Sequence, residues 1–300
     1  MRSIPLAGPW MRRSFLVPVV LAWLACGPDA DVVVGSKNFT ESIILGEIVA
    51  QQLENGGLSV DRRFNLGGTF VCHEAIVAGQ IDIYVEYTGT AHAAILELPM
   101  EPDRDAIRTQ LDSIYASRWS LEWTAPLGFN NTFAMLVRAE DAERLGLRAY
   151  SDVARLASEW KPGFGYEFAE RADGYEGLSE EYGFRFAQQP VVMDLGLTYR
   201  ALAEGHVDII AGNSTDGQIA GLSLIHLTDD RGYFPRYVAA PAIRSHVVEA
   251  YPEIRDLLNS LGNTIDEETM RRMNYLVDVE RRPITDVARE FLAGMHWRRP

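Results

Sequence analysis

Three hundred residues, 47% of them hydrophobic, suffice for one large domain or two of ordinary size, and neither the charge nor the proline and glycine content points to disorder. The formal net charge of −14 argues against nucleic acid as a partner, because binding phosphates requires basic neutralisation. The cysteines, Cys26 and Cys72, show no zinc or catalytic-thiol spacing, which leaves little room for cysteine chemistry.

The N-terminus reads as a processing signal over 1–25. Met11-Arg-Arg-Ser supplies a basic stretch, and the apolar run 15–24 is too short to span a bilayer. Leu24-Ala-Cys26-Gly looks like a lipobox, in which the cysteine receives a diacylglyceryl group, although Trp23 stands where a small aliphatic residue is usual. Cleavage there removes Arg2, Arg12 and Arg13 and no acid, taking the net charge from −14 to −17. Cys26 and the linker to residue 30 then tether a soluble chain at the extracytoplasmic face of the cell envelope, and a lipidated Cys26 leaves no disulfide possible.

A strand is expected at 31–36, a helix at 41–53, a second strand at 59–65 and a helix at 70–78. The nearly all-apolar run 81–87 is suited to the middle of a parallel sheet. A polar-faced helix at 103–117 and an apolar crossing at 130–137 follow. Further helices are expected at 139–145, 151–160, 177–182 and 195–204, with a strand at 207–211. The run 229–237 combines breakers with aromatics, as a return crossing would, and helices at 246–261, 267–277 and 284–293 finish the chain. The layout is an α/β protein of two lobes, one from 31–131 plus 236–300 and the other from 132–235.

An internal echo supports two similar lobes. Residues 75–88 and 201–214 share alanine, glycine, aspartate and isoleucine at Ala75/Ala201, Gly79/Gly205, Asp82/Asp208 and Ile83/Ile209. Each copy reads as a helix ended by glycine, then a strand running into small polar residues. Open α/β sheets bind ligands at strand carboxyl ends, so Tyr87 and Asn213 are expected at matching rims of one groove.

Lysine is rare here, the only ones being Lys37 and Lys161, so Lys37 at the end of the first strand draws attention. Gly35-Ser-Lys-Asn-Phe-Thr-Glu41 stands where strand becomes helix, with Asn38 or Thr40 as the cap and Glu41 in the first turn. A helix N-terminus beside a lysine suits a carboxylate or phosphate. Gly67-Gly-Thr69 is either a similar anion nest or a plain tight turn. Tyr87 offers a ring face to a cation, followed closely by the hydroxyl of Thr90. Asn131 and Phe133 put an amide and a ring at the crossing, Arg171 can fork onto a carboxylate or form a surface ion pair, and Asn213 opens a polar turn. Cys72 reads as a small buried hydrophobe. The scattered histidines lack metal-ligand spacing, and no Gly-x-Ser-x-Gly elbow, Walker loop or dinucleotide fingerprint occurs, so no metal, cofactor or enzyme activity is expected.

Together these blocks resemble the osmoprotectant-binding proteins of ABC importers, the glycine betaine/choline/proline-betaine receptors with a type II periplasmic-binding-protein fold. The resemblance runs from about residue 31 to 292 and is carried by Gly-Ser-Lys-Asn-Phe-Thr-Glu (35–41), Asn-Leu-Gly-Gly-Thr (65–69), Ile-Asp-Ile-Tyr-Val-Glu-Tyr-Thr-Gly-Thr (81–90), Pro-Leu-Gly-Phe-Asn-Asn-Thr (126–132), Asp-Gly-Tyr-Glu-Gly-Leu (173–178), Ser-Thr-Asp-Gly (214–217) and Tyr-Phe-Pro-Arg-Tyr-Val-Ala-Ala-Pro (233–241). It implies a receptor that closes its lobes on a small zwitterionic or quaternary ammonium ligand and delivers it to a permease. The implied carboxylate clamp is Lys37, Thr90 and Arg171; the implied tyrosine box falls at Tyr87, Tyr199, Phe133 and Asn213, the last two departing from tyrosine. The resemblance thus implies a carboxylate-bearing ligand, with betaine bound weakly or replaced by a less alkylated or more polar relative. An enzyme on the same two-lobed scaffold and a receptor for a membrane sensor are the alternatives.

Overall fold

The computed structural model describes residues 30–99, 101 and 103–296. The expected signal peptide, the lipidation site Cys26 and the linker up to residue 29 lie outside the described residues. Ten strands form two five-stranded sheets. In chain order they are β1 (Val32–Gly35), β2 (Val60–Arg63), β3 (Ile83–Tyr87), β4 (Leu121–Trp123), β5 (Phe133–Arg138), β6 (Pro162–Gly165), β7 (Val191–Met193), β8 (Ile209–Asn213), β9 (Leu224–His226) and β10 (Ala239–Arg244). The first sheet runs β2-β1-β3-β10-β4 and the second β7-β6-β8-β5-β9. The chain therefore passes to the second sheet between β4 and β5 and returns between β9 and β10.

Both sheets are mixed. β3 pairs parallel with β1 and antiparallel with β10, so its wholly buried run sits mid-sheet, but the sheet is not the parallel one expected. β10 was not anticipated as a strand, because alanines and Pro241 argue against a central position. The fold accommodates the proline at a register where the neighbouring groups find other partners. The Pro241 carbonyl accepts from Thr124 N at 3.0 Å, and the Thr124 carbonyl, which a proline cannot serve, accepts from Arg108 Nη1 at 3.0 Å.

The core of the first lobe gathers around the helix Thr40–Asn55. Its buried Ile44, Leu45, Ile48, Val49 and Leu53 recur at helical spacing and pack against the C-terminal helices, including Ile284–His296. Each such side chain removed from water contributes roughly 1.5–3 kcal/mol. Two expected helices are broken. The segment 246–261 divides into Ser245–Ala250 and Glu253–Asn259 because Pro252 lacks the N–H that continuation needs. The segment 151–160 becomes a short helix, Tyr150–Val153, and a 3-10 turn, Ala157–Glu159.

The two crossings are bound to each other. Asn131 N donates to the Tyr237 carbonyl at 3.0 Å, and Tyr237 N donates to Asn130 Oδ1 at 2.6 Å. A third link comes from the helix Glu267–Asp278, whose Asn274 Nδ2 donates to the Thr215 carbonyl of the second lobe at 2.8 Å. A side chain on Gly217 would meet this helix's backbone at 2.4 Å, so glycine is required where they touch.

Candidate functional site

A cavity of about 250 Å³ lies between the two sheets, at the carboxyl ends of β3, β6 and β8 and the amino end of β5. Of the residues singled out in the sequence, Lys37, Tyr87, Thr90, Asn131, Phe133, Arg171 and Asn213 line it. Lys37 follows β1 and Tyr87 ends β3, while Phe133 and Asn213 face each other in register at the adjoining ends of β5 and β8.

Tyr199 is the exception. It is 2% exposed and packs with Leu136, Leu202 and Ile210 in the second lobe's core. Its helix, Leu195–Ala203, lies against the sheet, and its ring passes under Gly212, where an added Cβ would stand 2.0 Å from the hydroxyl. The hydroxyl donates to Asp216, which in turn accepts from Asn213 N at 3.0 Å. Tyr199 therefore supports the turn beneath Asn213 and does not form a wall of the cavity. Other rings do, among them Phe39, 6.2 Å from Tyr87 between centroids, and Tyr237, 6.0 Å from Phe133. Phe39 and Tyr237 belong to blocks quoted for the family resemblance, which was the signal available for them.

The helix start after Lys37 differs from the expected capping. Phe39 occupies the N-cap position without a side-chain bond, Thr40 Oγ1 donates to Asp278 at 2.6 Å, and Ser42 Oγ accepts from Lys37 N at 2.9 Å. Glu41 turns inward instead and is 1% exposed. Its carboxylate accepts from Tyr87 (2.7 Å), Asn131 (2.8 Å), Thr215 (2.5 Å) and Asn274 (3.0 Å). Burial pushes its pKa up, partly offset by these donors. Glu41 thus joins the first lobe, the crossing strand and the second lobe at one buried point behind the Tyr87 ring. Nothing in the local sequence distinguishes this from an ordinary first-turn glutamate.

The cavity's two cations are already paired. Lys37 Nζ donates to Glu86 Oε1 at 2.6 Å and Thr69 Oγ1 at 2.8 Å, and lies 5.3 Å from the Tyr87 ring centroid. Arg171 forks onto Asp173 at 2.8 and 2.5 Å and reaches across the cleft to Thr90 Oγ1 at 3.1 Å. Its guanidinium also lies over the Phe133 and Tyr237 rings, at 5.0 and 5.7 Å. Removing either partner of such a buried pair leaves an uncompensated charge, which costs about 3–5 kcal/mol. The Gly67-Gly-Thr69 turn leads into the helix Thr69–Val77, and Thr69 N donates to the Glu167 carboxylate from the opposite lobe. Cys72, on that helix, is buried as expected.

The comparisons with known proteins fit this geometry. Residues 30–294 match the family model described as the substrate binding domain of ABC-type glycine betaine transport systems. A glycine-betaine-binding protein of Pseudomonas aeruginosa is 36% identical over 273 residues, covering 88% of this chain and 87% of that protein. An ergothioneine transport permease/ergothioneine binding protein of Helicobacter pylori is 35% identical over 267 residues, which cover 88% of this chain and 47% of that protein. The chain thus spans about half the length of the H. pylori relative. Among solved structures, that of a glycine betaine/carnitine/choline ABC transporter superposes with a TM-score of 0.73 at 30% identity, covering 89% of this chain and 99% of that one. No helix among the described residues is long and apolar enough to cross a membrane. A two-lobed fold, a cleft lined by rings and paired charges, and a match running through both lobes lead to one conclusion: the chain belongs to the family of substrate-binding domains of ABC-type glycine betaine transport systems.

Proposed function

We propose that this chain captures a small quaternary ammonium solute at the extracytoplasmic face of the cell envelope, held there by a lipid on Cys26, and passes it to an ABC permease. The observation that carries this reading is the ring surface contributed by both lobes to one cavity: Phe39, Tyr87 and Tyr237 from the first lobe and Phe133 from the second. A desolvated cation over such faces gains roughly 1–2 kcal/mol per ring. Acidic groups favour the same charge, since Glu167, Glu170 and Asp194 line the cavity while Lys37 and Arg171 are paired with carboxylates behind it. Lobe closure about the two crossings and the Glu267–Asp278 helix would seal the ligand in. Lys37, Thr90 and Arg171 serve as polar contacts, with Asn131 and Asn213 at the cavity's crossing side.

Isothermal titration of the protein lacking residues 1–25 against glycine betaine, choline, carnitine and ergothioneine tests the reading. Saturable heat with at least one of them is expected, and its loss in Tyr87→Ala. Absence of heat with all four overturns it. For the anchor, the full chain expressed in a bacterium is expected to partition with membranes and to lose that partitioning in Cys26→Ser.

A further inference from the structure

The anion position of the cleft is filled by the protein itself. Glu167 projects from the second lobe, on the helix Tyr166–Glu170, and accepts from Thr69 N at the first turn of the first lobe's Thr69–Val77 helix. Its second oxygen lies 3.9 Å from Arg171 Nη1. The Lys37 ammonium, 2.8 Å from Thr69 Oγ1, completes the positive surroundings. Although burial opposes it, attraction to Lys37 and Arg171 and the Thr69 bond hold the Glu167 carboxyl below its usual pKa, so it is an anion at neutral pH. Gly68 admits it: a Cβ there would stand 2.6 Å from Glu167 Oε1. Lys37, Arg171 and a helix N-terminus are the donors that a bound solute's carboxylate would use. The side chain nevertheless remains about one-third exposed (36%), so an incoming group can reach and displace it.

From this we infer that Glu167 is the specificity-determining residue of the cleft, an internal carboxylate that takes the place of a solute's own and ties the lobes together before any solute arrives. A quaternary ammonium solute without a carboxylate gains a counter-charge from Glu167. One carrying a carboxylate must displace it or sit beside a like charge. The inference rests on the proposed quaternary ammonium reading for its ligand arm, but the lobe contact can be measured without any ligand.

The experiment compares wild type, Glu167→Gln and Glu167→Ala, all lacking residues 1–25 and checked for unchanged Tm. Small-angle X-ray scattering without ligand reads lobe closure; isothermal titration with choline chloride and glycine betaine reads preference. Glu167→Gln keeps an acceptor for Thr69 N and removes the charge, so the glycine betaine to choline affinity ratio is expected to rise by about tenfold or more, the scale of relieving a close like-charge pair. Glu167→Ala is expected to increase the radius of gyration of the ligand-free protein and to shift the ratio the same way. A ratio unchanged or moved toward choline in Glu167→Gln overturns the inference, as does an unchanged scattering profile in Glu167→Ala. If neither solute binds any of the three proteins, the quaternary ammonium reading falls and takes the preference with it, while the scattering result still decides whether Glu167 holds the lobes.

Discussion

The strands β3 and β8 are entered in the same way, through a helix, a glycine, an aspartate and an isoleucine, and differ from the next residue onward. Each follows a helix ended by a glycine in the left-handed region, Gly79 at φ 73° and Gly205 at φ 75°. In each the aspartate bonds back to the parallel neighbour: Asp82 accepts from Val33 N at 2.9 Å, and Asp208 from Lys161 N at 2.9 Å. Each aspartate also faces an arginine at the end of the antiparallel neighbour, Arg244 and Arg138, both at 3.4 Å. At the carboxyl ends no likeness is left. Tyr87 points its hydroxyl to the buried Glu41, whereas Asn213 ties into Asp216 and Tyr199. Repetition thus maintains the entry of each strand into its sheet, while the residues that reach the cavity, Tyr87 and Asn213, are unlike. A repeated aspartate at such a junction is a structural device, holding each strand to its parallel neighbour.

The largest effect should come from taking one cation from each lobe. Lys37→Ala and Arg171→Ala strand Glu86 and Asp173, and urea unfolding is expected to show a loss of about 3–5 kcal/mol in each, together with loss of ligand heat. Stability unchanged in either variant would mean that its carboxylate partner finds another donor.

Next comes the polar turn that exists only in the second lobe. Burial raises the Asp216 pKa from 3.8 to about 7, with the nearby Glu41 adding to the shift and Tyr199 and Asn213 opposing it. Between those values the folded protein holds a proton that the unfolded chain releases, so this contribution to stability is full below about pH 4 and is lost as pH rises through 7. Asp216→Asn should remove that decline, seen as a wild-type minus variant difference in Tm across this range, worth ~4 kcal/mol or less. A pH-independent difference would break the assignment.

The repeated aspartates supply the direct comparison. Asp82→Ala and Asp208→Ala each orphan a backbone N–H, at a cost of about 1–3 kcal/mol by chemical denaturation, with ligand affinity unchanged. Asp82 should cost more, being 14% exposed against 33% for Asp208. Equal losses would show that burial does not set the difference. The smallest expected effect is on the diverged end: Asn213→Tyr, which gives β8 a ring to match Tyr87, should tighten binding of a quaternary ammonium solute by up to about fivefold in titration. No gain would indicate that Phe133 and Tyr237 already complete that wall.

Much of this was legible in sequence because it is local. Helices such as Thr40–Asn55 and Glu267–Asp278 follow from apolar spacing, and the glycine-ended helix before each central strand from the echo. Seven of the eight candidate ligand contacts line the cavity, because strand ends in an α/β protein converge and because those residues fall in or near blocks shared with a known family. Tyr199 was misplaced for a physical reason: spacing gives a helix, but which face of that helix meets the sheet depends on Gly212 making room beneath β8. β10 was missed because its alanines carry little strand signal and its proline is tolerated only through Arg108, which is remote in sequence. The roles of Glu41 and Glu167 were equally hidden, since each acts on partners far along the chain: Glu41 on Thr215, Glu167 on Thr69.

The amino-acid sequence by itself determined two α/β lobes, their repeated helix-glycine-strand unit, a cleft at the strand ends and several of the residues that line it, because periodicity, turn chemistry and residue type act over short distances. Only the tertiary structure decided how charge is shared there. Lys37 and Arg171 could be open grips or neutralised pairs, and that choice depends on Glu86, Asp173 and Glu167 being brought within a few ångströms by two sheets facing each other.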